Sequence, residues 1–117
     1  MRVHHLAFRT VDLAKLERFY VDAIGLAVVR RDEACGVWLD AGGTIVMLEL
    51  REPGEPAHPA ESKELVAFAI EPDTRALCTD RLTRAGIAIE ATTDFTLYVR
   101  DPDGRRVGLS SYPVRLT

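Results

Sequence analysis

The first fifty residues combine strand-like alternation with one stretch of helical spacing. Val3–Thr10 is rich in strand formers and predicts a first strand. Apolar side chains then recur at spacings of 3, 4 and 4 residues, at Leu13, Leu16, Tyr20 and Ile24. This stripe predicts a helix that is capped by Asp12 and ends before Gly25. Further strands are predicted over Leu26–Arg31, Gly36–Asp40 and Thr44–Leu50.

A proline-rich stretch follows this first β-α-β-β-β unit, which we define as residues 1–51. Residues 52–63 contain Pro53, Pro56 and Pro59 and show no apolar period. Because proline cannot donate to a strand ladder, the stretch is predicted to be a linker.

The remaining residues, 64–117, repeat the same order of elements. Strands are predicted over Glu64–Glu71, Ile87–Ala91, Phe95–Arg100 and Arg106–Ser111. A helix capped by Asp73 is expected to place Leu77, Cys78, Leu82 and Ala85 on one side and to end at Gly86. Asp101–Gly104 is a strong turn signal.

Three pairs of turn residues support a duplication. Each pair is separated by 61 residues: Gly25 and Gly86, Asp40 and Asp101, Gly43 and Gly104. A repeat of this length indicates two modules within one domain rather than a solenoid. We therefore predict an α+β fold in which two βαβββ modules form a curled mixed sheet around a cleft.

Composition narrows the possible functions. The chain has 117 residues, a formal net charge of −3 and 47% hydrophobic residues, which fits one globular domain and argues against a nucleic-acid binder. No apolar run approaches the roughly 20 residues of a membrane span, and the N-terminus shows no signal-peptide core. Cys35 and Cys78 show no pairing motif, so we expect reduced thiols in a cytoplasmic protein.

Strand parity predicts which side chains face the cleft. Leu6 and Phe8 should meet the first helix, which places His5, Ala7 and Arg9 in the cleft. The same argument on the other strands adds cleft positions at Ile45, Met47, Glu49, Leu65, Ala67, Ala69, Arg106, Gly108 and Ser110. Such a surface is mostly small and apolar, with a few ionisable groups.

Four sequence runs resemble the vicinal oxygen chelate superfamily. They are His5–Leu13, Phe19–Tyr20, Ile24–Leu26 and Tyr98–Gly104. This superfamily includes glyoxalases, type I extradiol dioxygenases, methylmalonyl-CoA epimerases, fosfomycin-modifying enzymes and bleomycin-binding proteins. The resemblance covers nearly the whole chain and implies the βαβββ repeat that was predicted independently, while the reaction is left open because this fold hosts many.

The resemblance also implies four metal-ligand positions, on the first, fourth, fifth and eighth strands. His5 and Glu49 match the first two, whereas Leu65 and Gly108 occupy the third and fourth. Two ligands make a weak site, so we expect no tightly bound divalent metal. An extradiol dioxygenase is disfavoured because its second histidine is missing. His58 in the linker is a substitute ligand that nothing in the sequence directs to the site.

The other candidate site residues each have a structural alternative. His5 can line the cleft and bond Glu49, move protons together with it, or ligate a metal. Arg9 can hold a carboxylate, as the resemblance implies, or reach water from a strand end. Trp38, Met47 and Tyr98 can form an apolar wall for a ligand or belong to the core. Arg106 can reach the mouth of the cleft or point into solvent.

Two functions therefore remain open. The first is a glyoxalase/bleomycin-resistance-like protein that binds a small, partly apolar molecule, with or without an anionic group, and holds no tight metal. The second is a lyase- or isomerase-type enzyme that uses His5 and Glu49 with a weakly held divalent metal. In either case we expect a homodimer, since the modules expose sheet edges and an apolar rim.

Overall fold

The structure is a computed structural model and describes residues 1–34 and 36–113. Cys35 and the last four residues of the second module lie outside these ranges. The first module contains β1 (His5–Thr10), α1 (Leu13–Arg18) with a π-helical continuation (Phe19–Ile24), β2 (Ala27–Asp32), β3 (Gly36–Asp40) and β4 (Ile45–Leu50). The second contains β5 (Leu65–Ala69), a 3₁₀ turn (Pro72–Thr74), α2 (Arg75–Arg84), β6 (Ala91–Thr92), β7 (Thr96–Arg100) and β8 (Arg106–Ser110).

Each module folds its strands into one mixed sheet with the same topology. The strand orders are β1-β4-β3-β2 and β5-β8-β7-β6. The first pair of each sheet is parallel and the other pairs are antiparallel. This confirms the predicted α+β class and the two-module architecture.

The first helix begins and ends where the sequence predicts. The carboxylate of Asp12 accepts a hydrogen bond of 3.1 Å from the backbone N–H of Lys15. Gly25 ends the helix with a φ of 98°, a left-handed conformation that glycine adopts without strain. The last six residues before it are π-helical, a change in hydrogen-bond spacing that the apolar stripe does not reveal.

The second module departs from the sequence prediction at two elements. Asp73 does not cap α2, because it lies within a 3₁₀ turn and the helix begins two residues later with no side-chain cap. Leu77 lies on the solvent side and is 61% exposed, and Ala85 is exposed too. The strand expected over Ile87–Ala91 is shorter and lies at Ala91–Thr92, and among the described residues 87–90 before it only the backbone N–H of Glu90 bonds to the neighbouring strand, at the carbonyl of Tyr98.

A single apolar core connects the two modules. Its buried members from the first module include Phe8, Leu16, Tyr20, Leu39, Val46 and Leu48, and those from the second include Cys78, Leu82, Leu97, Val99, Val107 and Leu109. Cys78 is buried in this core, on the apolar side of α2 where the sequence predicts it. None of the helices among residues 1–34 and 36–113 is long and apolar enough to cross a membrane.

A buried polar network joins the modules beside this core. The Tyr20 hydroxyl donates to Asp101, whose carboxylate also pairs with Arg105 at 3.1 Å. Arg105 in turn donates to the backbone carbonyl of Arg9 and lies 4.9 Å above the Phe8 ring. Burial, followed by the nearby charge of Asp101, raises the pKa of Tyr20 well above its usual range. The network fixes the start of β8 against the end of β1.

Candidate ligand-binding site

The burial of alternate residues agrees with the predicted strand faces. In β1, Phe8 is buried, whereas His5 and Ala7 are exposed. In β5, Leu65, Ala67 and Ala69 are exposed, and the residues between them are half-buried against the core. The faces predicted to line a cleft are therefore those that the helices leave uncovered.

A cavity of about 420 Å³ lies where the two modules and the linker meet, and we call it the seam pocket. Its lining comes from the end of β1, the linker, the start of β5 and the start of β8. The residues are Ala7, Phe8, Arg9, Arg51, Glu55, Pro56, Ala57, His58, Glu64, Leu65, Val66, Arg105 and Arg106. Three sequence-predicted site residues, Arg9, Leu65 and Arg106, are thus brought together.

Three side-chain nitrogens of this pocket are shielded from solvent and unpartnered. Among the described residues, the buried side-chain atoms without a hydrogen-bond partner are Arg51 Nε, His58 Nε2 and Arg106 Nε. All three belong to the lining of the seam pocket. The nearest charged atom that pairs with Arg106 Nε is Glu90 Oε2 at 3.6 Å, which is too long for a hydrogen bond. An unsatisfied buried polar group costs about 1–3 kcal/mol, so a polar partner for any of these nitrogens would be stabilising.

Arg9 is held by two carboxylates rather than standing free. Its guanidinium contacts Glu55 at 2.8 Å through Nη2 and Glu49 at 3.4 Å through Nη1. The Glu55 carboxylate also accepts a hydrogen bond from the backbone N–H of Glu52. Glu55 thus connects the linker, through its pair with Arg9, to β1. The hydrogen bonds with Glu55 raise the pKa of Arg9 above its usual range, and the bonds from Arg9 lower the pKa of Glu55. A ligand anion at Arg9 must therefore compete with Glu55.

Arginines outnumber carboxylates in the lining of the pocket, where there are four arginines and two glutamates. Carboxylates outside the lining pair with two of these arginines, Glu49 with Arg9 and Glu90 with Arg106. Arg105 is engaged with Asp101 and Asp103. Arg51 has no ion pair among the described residues and is the least committed of these cations. An anionic group would therefore be attracted chiefly by Arg51.

His5 and Glu49 are not brought together. In the parallel register of β1 and β4, His5 lies opposite Ile45 and Glu49 lies opposite Arg9. Four residues along a strand correspond to about 13 Å, beyond the reach of a direct hydrogen bond. Each has another neighbour: His5 Nδ1 lies 3.0 Å from His4 Nδ1, and Glu49 contacts Arg9. Neither residue lines the seam pocket.

The predicted aromatic wall is divided between the two sheets. Trp38 lies opposite Met47 in the first sheet, with the Arg30 guanidinium 5.0 Å from its ring centroid. Tyr98 belongs to the second sheet, and its ring lies 4.2 Å below the guanidinium of Arg106. None of the three lines the seam pocket, but Tyr98 supports a pocket residue.

The third and fourth metal-ligand positions implied by the family do not fit a metal. Leu65 offers no donor, and its Cδ1 lies 3.4 Å from where a Cβ on Gly108 would stand. Side chains of Ala67 and Thr96 lie 3.3 Å from the same point, so a longer side chain at Gly108 would have to displace its neighbours. Across residues 1–34 and 36–113, no three or more His, Cys, Asp or Glu side chains cluster to hold a metal ion. Within one chain, Leu65 and Gly108 therefore do not complete a metal site with His5 and Glu49.

Sequence reasoning missed two arginines and left one histidine unplaced. Arg51 directly follows β4, and its role depends on where the linker turns. Arg105 follows the predicted turn, but only the fold buries it between modules. His58 lies between Pro56 and Pro59, which restrict the backbone around it. These prolines were the feature of the sequence that could have indicated a fixed position for His58.

Comparisons with known proteins agree with this architecture. The model of the family described as Glyoxalase/Bleomycin resistance protein/Dioxygenase superfamily matches residues 2–109. Comparison with curated proteins gives no significant match.

Among solved structures, the fosfomycin resistance protein FosX from Mesorhizobium loti superposes with a TM-score of 0.78 at 17% identity, covering 97% of this chain and 93% of that chain. A glyoxalase/dioxygenase from Nostoc punctiforme gives 0.75 at 24% identity, with 92% and 88% covered. Lactoylglutathione lyase from Agrobacterium tumefaciens gives 0.71 at 21% identity, with 93% and 92% covered. At these identities the likeness establishes the fold alone.

Proposed function

The chain belongs to the Glyoxalase/Bleomycin resistance protein/Dioxygenase superfamily, and from this premise we propose that it binds a small anionic molecule with an apolar body in the seam pocket. The observation that carries the proposal is that Arg51, His58 and Arg106, each with a buried and unpartnered side-chain nitrogen, all line one cavity. Oxygen atoms of a carboxylate or phosphate would satisfy the two guanidinium donors, since arginine is suited to such anions.

The apolar part of the ligand is assigned to the remaining lining. Ala7, Phe8, Leu65 and Val66 contribute side chains without polar atoms. The small side chain of Ala7 leaves room beside the larger ones. Covering this surface adds a favourable term of about 25 cal/mol per Å² of apolar area buried. A ring-sized or short alkyl body next to one anionic group matches both halves of the pocket.

Arg9 provides a second anion contact by exchange. Its pair with Glu55 is part-exposed, with side chains 36% and 25% accessible, and such pairs contribute little to stability. A ligand carboxylate can replace the Glu55 carboxylate at low net cost, which would release the linker from β1. Binding is therefore coupled to the position of residues 52–63.

The geometry supports binding over the second candidate function, a lyase- or isomerase-type enzyme. That function needs His5 and Glu49 to act as one acid–base or metal-binding unit. Their offset of four register positions along β1 and β4, and their contacts with His4 and Arg9, disfavour such a unit within one chain.

Thermal-shift titration and calorimetry with benzoate, phenyl phosphate and benzylammonium test the proposal. Both anions are expected to bind and the cation is not. Arg51→Met and Arg106→Met should each weaken anion binding by about 10-fold, the lower end of what loss of a charged hydrogen bond costs. The matched control is Arg30→Met, since Arg30 packs on Trp38 outside the pocket. Anion affinity that is equal in all variants would overturn the proposal.

We also propose that two chains form a homodimer. Two exposed apolar side chains lie side by side at the ends of β1 and β4 and line neither cavity: Val11 is 65% exposed and Leu50 is 52% exposed. Burying these side chains against a second copy would remove exposed apolar area from water.

A further inference from the structure

A second cavity follows the free edge of β5 and is larger than the seam pocket. Its volume is about 890 Å³, and we call it the strand groove. Most of its lining is apolar and includes Leu6, Leu26, Val46, Phe68, Ile70 and Leu77. The charged side chains that line it are Asp40, which accepts from the backbone N–H of Gly43, and Arg81, which donates to the carbonyl of Ile24. Since both already have partners, the groove offers chiefly hydrocarbon contact.

The two cavities adjoin along one strand. Leu65 and Val66 line both the seam pocket and the strand groove. The seam pocket is lined by Arg9 near the end of β1 and by Glu64 just before β5, whereas the groove is lined by Leu6 of β1 and by Ile70 just after β5. The edges of β1 and β5 therefore run in opposite directions past each other, with a cationic cavity at one end and an apolar cavity at the other.

We propose that the ligand is an amphiphile, an anionic head group on an unbranched hydrocarbon chain, and this rests on the proposed function of the seam pocket. The head group lies among Arg51, His58 and Arg106, and the chain passes Leu65 and Val66 into the strand groove. Charge complementarity favours the seam pocket for the head, because four arginines line that pocket, whereas Arg81 is the cation of the groove and already donates to the carbonyl of Ile24.

The apolar surface of the groove would stabilise an extended hydrocarbon chain of the ligand. Leu65 is 41% exposed and Leu77 is 61% exposed, so their side chains are in contact with water. A hydrocarbon chain that covers them removes apolar surface from water on both sides of the contact. Burial of one methylene group raises the affinity about fourfold. The affinity of this site should therefore depend on the length of the ligand's hydrocarbon chain.

Isothermal titration with straight-chain carboxylates from butyrate to dodecanoate, below their micellar concentrations, tests the inference. Affinity should rise by about fourfold per methylene until the groove is filled. Alkyl phosphates should follow the same series, and alkyltrimethylammonium ions of equal length should bind far more weakly. Leu77→Gln should lower the affinity for dodecanoate several-fold and leave butyrate unchanged. Val29→Gln is the matched control, because Val29 is 54% exposed and lines neither cavity.

The outcomes separate this inference from the proposed function. If butyrate binds and dodecanoate binds no tighter, the amphiphile is wrong and the seam pocket still stands as an anion site. If long cations bind as well as long anions, the assignment of the head group is wrong. If neither butyrate nor dodecanoate binds, or if Arg51→Met leaves the binding of both unchanged, the seam pocket itself is not the site.

Discussion

The hydroxyl of Tyr20 donates a hydrogen bond of 2.7 Å to the carboxylate of Asp101, which lies 81 residues further along the chain. Tyr20 belongs to the helical segment of the first module and Asp101 to the turn before β8 of the second. Asp101 also accepts from the backbone N–H groups of Asp103 and Arg105. One buried carboxylate therefore shapes the turn and joins the modules, which positions the start of β8 at the seam pocket.

Tyr20→Phe is expected to destabilise the fold. The substitution keeps the ring contacts with Phe8 and Phe19 but removes a buried hydrogen bond to a charged group. The free energy of unfolding should fall by about 1.5–3 kcal/mol, measured by urea denaturation. Tyr112→Phe is the control, because Tyr112 is 59% exposed and its ring contact with Phe95 is kept. Equal losses of unfolding free energy in the two variants would show that the Tyr20–Asp101 hydrogen bond does not stabilise the fold.

The Arg9–Glu55 pair predicts an acid-sensitive linker. Hydrogen bonds from Arg9 lower the pKa of Glu55 in the folded state. A group with a lowered folded pKa stabilises the protein above its unfolded pKa, about 4.3 for glutamate, and this contribution is lost as the pH falls through the folded value. The difference in melting temperature between the wild type and Glu55→Gln should therefore be largest near neutral pH and vanish in acid.

Melting curves between about pH 7 and pH 3 measure this difference. Glu52→Gln serves as the control, because Glu52 is a neighbouring linker carboxylate whose backbone N–H, and not its side chain, contacts Glu55. A difference between wild type and Glu55→Gln that grows as the pH falls would have the wrong sign for the pair.

Metal binding by the wild-type chain is expected to be weak. His5 and Glu49 lie four register positions apart, and Leu65 and Gly108 supply no donor side chain. Isothermal titration should give affinities for zinc and nickel no tighter than micromolar. Leu65→His adds an imidazole and should raise the affinity. A nanomolar value for the wild type, or a crystal with a four-ligand site that includes His5, would contradict this expectation.

The homodimer can be tested by light scattering over a range of concentrations. The chain has a mass of 13.0 kDa, so a dimer should scatter as twice that value and dissociate on dilution. Leu50→Glu would place a charge on the exposed end of β4 and should weaken the dimer. A constant monomer mass at every concentration would rule the pairing out.

The sequence alone determined most of the fold because its signals are local. The 3-4-4 spacing, Asp12 and Gly25 bound the first helix, and alternation assigns Phe8 to the core and Ala7 to the open face. Periodicity and capping depend on residues within one or two turns of each other, so they are readable along the chain. The repeat at an offset of 61 residues predicted the same order of helix and strands for the second module. Where local signals were weak, as at Asp73, the prediction was wrong.

Only the tertiary structure decided the site. The register between β1 and β4, set by strands 40 residues apart, places Glu49 opposite Arg9 and away from His5. The path of the linker brings His58 to the cavity that Arg106 also lines, although no spacing in the sequence relates the two residues. Contacts of this kind depend on long-range pairing and on the packing of whole modules. Since alternation fixes only the face on which a side chain lies and not its partner across the sheet, the sequence named candidates and the fold selected among them.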